Sequence, residues 1–174
     1  MKQLALFLLG VVLSLPAASA TWYVDCSAGS NGAGTSCAVP MNAISSLNWT
    51  TIAAGDDDVY LRATTCTTAQ MSGGAFPSSG AVNVAGSAGN KIVVRTYTDP
   101  ATCAPIETPT EDEMVHLKGD GASRTDIFTL AGASYWDVTG IKCSGSSNTL
   151  GRGCFHIAAN GATPSTDIRL AYSI

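Results

Sequence analysis

The run Tyr135-Trp136-Asp137-Val138-Thr139-Gly140-Ile141 decides how this chain reads. Trp136 and Val138 are apolar and two apart with Asp137 between them, the alternation of a strand that buries one face. Ile92-Val93-Val94 and Ile168-Arg169-Leu170 share the pattern. The runs at Trp136 and Ile168 each reach a further isoleucine, Ile141 and Ile174. Aligning Trp136-Asp137-Val138 with Ile168-Arg169-Leu170 puts Asp137 and Arg169 on one outward row, a strand spacing of ~4.8 Å apart.

Working outward, more short runs appear. They are Thr21-Trp22-Tyr23-Val24-Asp25, Val59-Tyr60-Leu61-Arg62, Lys91-Ile92-Val93-Val94-Arg95, Met114-Val115-His116-Leu117, Asp126-Ile127-Phe128-Thr129-Leu130, Gly153-Cys154-Phe155-His156-Ile157 and Asp167-Ile168-Arg169-Leu170. Gly, Asn, Asp and Ser turns separate them. A short helix is expected over residues 40–51, where Ile44, Leu47 and Ile52 fall near helical spacing after Pro40. Residues 64–90 are rich in Gly, Ser and Thr and offer few apolar anchors. Strands so short and so many need a solenoid or a sandwich. The uneven intervals favour a solenoid of coils with variable loops. Asn31-Gly32 and Asn160-Gly161 are hairpin-type turns and keep the sandwich open.

Composition narrows the function classes. The 174 residues are 13% charged, about half the soluble average of ~25%, with a net charge of -4. That balance excludes a charged disordered tail and argues against nucleic acid as a partner. Lys2, a leucine-rich run from Leu4 to Leu15, Pro16 and Ala18-Ser19-Ala20 have the layout of a secretory signal peptide over residues 1–20. Residues 21–174 are then one exported domain, secreted or periplasmic, with no membrane segment after cleavage.

Six cysteines in an exported chain read as disulfides: Cys26, Cys37, Cys66, Cys103, Cys143 and Cys154. The matching local spacings favour Cys26–Cys37 and Cys143–Cys154, each closing a Gly, Ser and Asn-rich loop, with Cys66–Cys103 paired by default. No zinc-type spacing occurs.

The opening strand, its Gly and Ser loop, the short helix and Ala54-Gly55-Asp56-Asp57-Asp58-Val59-Tyr60-Leu61-Arg62 together resemble the start of secreted pectate-lyase-like proteins. Asn90-Lys91-Ile92-Val93-Val94-Arg95 resembles the strand after that family's G-N-P-I turn. Tyr135-Trp136-Asp137-Val138-Thr139-Gly140-Ile141 resembles its Y-W-x-I-x-G-L coil. The resemblance covers nearly the whole of residues 21–174 and rests on core and turn patterns. It implies an all-β, right-handed parallel β-helix, with the short N-terminal helix as a cap. It also implies action on an acidic polysaccharide, as a lyase fragment working by β-elimination, with calcium as that family's cation. The alternative is a non-catalytic, adhesin-like or envelope surface protein.

No catalytic constellation stands out. Asp56-Asp57-Asp58 and Lys118-Gly119-Asp120-Gly121 read as polar turns rather than metal ligands, so no metal set is assigned and no cofactor is evident. His116 and His156 alternate with apolar neighbours, which suits outward or slot-filling side chains better than general bases. Lys142, Arg152, His156 and Arg169 are the candidates for a sugar-binding groove. The last run, Asp167 to Ile174, reads as a strand without a cap. The domain is therefore expected to be incomplete at its C-terminus and to self-associate through that coil.

Overall fold

A computed structural model describes residues 19–55, 57–71, 84–119, 127–145, 155–160 and 164–174. The signal peptide expected over residues 1–20 lies almost wholly outside them, as do Asp56, Asp120, Arg152 and Cys154.

Alternating apolar residues form strands where the sequence suggests them. These are β1 (Thr21–Val24), β2 (Asp58–Arg62), β4 (Ile92–Tyr97), β5 (Val115–Lys118), β6 (Phe128–Ala131), β7 (Ser134–Ser144), β8 (Phe155–Ala158) and β9 (Thr166–Ser173). β3 (Thr65–Thr67) falls in the Gly, Ser and Thr-rich stretch and is held by one buried side chain, Cys66. The helix differs from expectation. A single 3-10 turn covers Ile44–Ser46, and α1 runs Trp49–Gly55. Asn48 starts α1 by accepting the Thr51 amide at its Oδ1, 3.2 Å away.

All strand pairings described are parallel. The main sheet has 7 strands in the order β1-β2-β4-β7-β5-β3, with β9 also on β7. β6 and β8 form a separate pair. Register stacks like on like inside: Val59 on Val94 on Val138 on Leu170, and Ile92 on Trp136 on Ile168. Ile44, Leu47, Trp49 and Ile52 join the same core, with Trp49 and Trp136 ring centroids 5.4 Å apart. Such an aromatic pair adds about 0.5–1.5 kcal/mol beyond its burial.

This arrangement corrects the β-helix expectation. The described strands make one mainly parallel, seven-stranded sheet that branches at β7, beside a two-stranded sheet. The runs taken as equivalent coils are not equivalent units. β7 is one strand of 11 residues whose first half pairs β4 and β9 and whose second half pairs β5. Alternation with apolar residues two apart requires only a strand with one buried face, so it does not specify a solenoid. The helical segment contributes its apolar side chains to the common core.

Gly140 is the hinge of β7. Trp136 and Val138 face the core, and the next core residue is Ile141, three positions on. Gly140 absorbs the odd step with φ +81, where a Cβ would lie 2.6 Å from Thr96 Oγ1. Only a residue without a side chain fits that backbone and that approach.

The disulfide expectation is corrected too. Cys26 bonds Cys66 and Cys37 bonds Cys103, with Cα separations of 5.2 and 6.1 Å. β1 lies beside β2, so the chain just after β1 meets the chain just after β2 rather than the far end of its own loop. The Cys143–Cys154 expectation involves Cys154, outside the described residues. Disulfides of this kind are compatible with an exported protein. Among the described residues, no helix is long and apolar enough to cross a membrane.

Candidate functional site

In β5, Val115 and Leu117 are buried, so His116 and Lys118 point outward. The phase shift at Gly140 does the same for the end of β7. Ile141 turns in, and Lys142 and Ser144 share the outer face with β5. Register then builds two rows, Thr65–His116–Lys142 and Thr67–Lys118–Ser144. The residue after β9 extends the first row: Ile174 accepts the Cys143 amide and donates to the Ile141 carbonyl, at 2.9 and 3.0 Å.

These residues frame an open groove of about 330 Å³ lined by Glu111, His116, Lys142, Cys143, Ser144 and Ile174. His116 Nε2 is 2.8 Å from Ser144 Oγ. Lys142 Nζ donates to the Glu111 carbonyl, 2.9 Å away. Burial, then the positive charges of Lys142 and Lys118, hold the His116 imidazole below its usual pKa of 6.5. The ring is thus neutral near pH 7 and can accept a proton. The cationic Lys118 and Lys142 flank the neutral imidazole on one patch of a chain whose net charge is -4, and such a patch suits an anionic ligand.

The backbone under Ser144 is fixed. Gly119 donates its amide to the Ser144 carbonyl at 2.8 Å. Gly145 has φ +76, and a Cβ there would lie 2.5 Å from the Gly119 carbonyl oxygen. The two strand ends therefore pass too closely for side chains, and Ser144 is held opposite Lys118.

A second charged group lies further along the outer face. Arg95 is bonded by Glu107 at 3.0 Å and by Asp137 at 3.1 Å, and Arg169 reaches Asp137 at 2.8 Å. Burial opposes ionisation of Asp137, but hydrogen bonds from Arg95 and Arg169 outweigh it and keep the carboxyl below its usual range. These charges satisfy one another, so the cluster is a structural network rather than a ligand site.

The sequence candidates are not brought together. Lys142 lines the groove, whereas Arg169 is bound to Asp137. His156 lies on the other sheet, opposite Thr129. Arg152 falls outside the described residues. His116 and Ser144 in the groove, and Lys118 beside it, are residues that the sequence does not single out as sugar-binding. Their signal is the alternation Val115-His116-Leu117-Lys118, which becomes informative only once β5 is paired with β7.

Asp57, in the acidic run after α1, serves the fold. Asp57 Oδ1 accepts the Ala20 amide and Oδ2 the Trp22 indole N–H, both at 2.7 Å. Among the described residues, no three His, Cys, Asp or Glu side chains cluster to hold a metal ion. Neither a family model nor a curated protein matches this chain.

Proposed function

We propose that this is an exported protein that engages an acidic polysaccharide on the outer face of β5 and β7. The observation that carries the reading is the register of His116 with Lys142, with Lys118 two residues on, beside an open groove. A polyuronate presents a carboxylate on every sugar, and basic side chains on adjacent strands offer several points of attachment. Disulfides support the extracellular or periplasmic setting in which such a polymer is met.

The test is retention on immobilised polygalacturonate against a neutral glucan. Retention on the acidic polymer alone, released by salt, is expected, since exposed charge pairs are screened. The Lys118→Ala/Lys142→Ala double variant should lose about 30-fold in affinity, from roughly 1 kcal/mol at each of two contacts. Equal retention on both polymers, or on neither, contradicts the reading. Ultraviolet absorbance from unsaturated uronides during incubation would add β-elimination to binding.

A further inference from the structure

The groove contains a hydroxyl and an imidazole in the arrangement of an activated nucleophile. Ser144 Oγ lies 2.8 Å from His116 Nε2, within the reach required of a nucleophile and its base. Ser144 is on a backbone fixed by the Gly119–Gly145 approach. Lys142 lines the same groove and lends it positive charge. We propose that Ser144 and His116 are the nucleophile and base of an ester hydrolase that removes small O-acyl groups, such as acetyl, from sugar hydroxyls of the bound acidic polysaccharide. The choice of polymer rests on the function proposed above; the dyad does not.

The chemistry balances with water as the only co-reactant. Ser144 Oγ attacks the acyl carbonyl carbon while its proton passes to His116 Nε2. The tetrahedral intermediate collapses, the bond between the acyl carbon and the sugar oxygen breaks, and His116 returns the proton to that oxygen. Water, deprotonated by the same imidazole, then attacks the acyl-serine. Carboxylic acid leaves and the Ser144 hydroxyl is restored. The neutral His116 described above suits the base role near pH 7. The groove of about 330 Å³ admits an acyl group with part of one sugar.

The test has two arms. In the first, the whole protein is treated with a fluorophosphonate probe and assayed on p-nitrophenyl acetate. Labelling mapped to Ser144 is expected, abolished in Ser144→Ala. Hydrolysis should fall about 100-fold or more in His116→Ala, the usual contribution of a positioned base. Its rate should rise with pH through a pKa below 6.5. No labelling, or activity unchanged in Ser144→Ala, overturns the dyad. The second arm measures acetate release from acetylated polygalacturonate and from acetylated neutral xylan. Faster release from the acidic polymer supports the substrate class. Equal release from both, with labelling intact, overturns the substrate class and leaves the dyad standing.

Discussion

Arg169 on β9 stands in register with Asp137 on β7, with Nη1 2.8 Å from Oδ1. The same carboxylate takes Arg95 on its other side, at 3.1 Å. The two arginines differ in what they stand to lose. The Arg95 side chain is 8% exposed and that of Arg169 52%. Asp137 is therefore the keystone of this face, and Arg169 an exposed outer partner.

Asp137→Ala should destabilise the fold by about 3 kcal/mol, because it strips a nearly buried arginine of its main partner. That is the low end for a broken buried pair, since Glu107 still reaches Arg95. Arg169→Ala should cost no more than about 1 kcal/mol, as for exposed pairs. Urea denaturation of the two variants checks the ranking, and equal losses would contradict it.

Stability should fall toward acid in two windows. The folded pKa of His116 is below 6.5, so the unfolded chain takes up its proton first. That contribution is complete above the ordinary histidine pKa and is lost as pH falls through the folded one. Asp137 and Asp25 have folded pKa values below 3.8. Their contribution is full above the ordinary carboxylate range and is lost as pH drops through the folded values. Melting temperature against pH should lose its upper step in His116→Ala and keep the lower one.

Gly140→Ala should destabilise by about 1–3 kcal/mol, from the left-handed backbone and the crowding against Thr96. Because Gly140 sets the phase of Lys142 and Ser144, the variant should also weaken polygalacturonate retention. Unchanged stability by calorimetry would contradict the hinge role.

Peptide mapping without reduction should recover Cys26 joined to Cys66 and Cys37 joined to Cys103. Removing the second bridge by a Cys37→Ser/Cys103→Ser change should cost about 2–4 kcal/mol, since it closes a long loop. A Cys26–Cys37 peptide would contradict the pairing of strand ends.

Strand positions were legible because alternation is local: Trp136 and Val138 announce their buried face without knowledge of their neighbours. The Asp137–Arg169 register followed from aligning two such runs. Partners that depend on tertiary order were not legible. Equal loop spacing could not show that Cys26 meets Cys66, because parallel stacking joins corresponding positions on neighbouring strands. Lys142 stood out as a lone cation. Its meeting with His116, and the meeting of His116 with Ser144, depended on the β5–β7 pairing and on the phase change at Gly140. The β-helix reading over-extended the same local pattern, because it treated β7 as one coil unit when its two halves serve different partners.

The chain has 2 histidines, His116 in the groove and His156 on the other sheet, so their ring proton signals report separately on the proposed site. Titrating both by NMR with and without an oligogalacturonate tests the central claim most directly. A uronate carboxylate bound beside His116 must favour its charged form, so the account predicts that the His116 pKa rises with ligand while the His156 signals do not respond to it. No change at His116, or a ligand response confined to His156, would contradict acidic polysaccharide binding on the β5–β7 face.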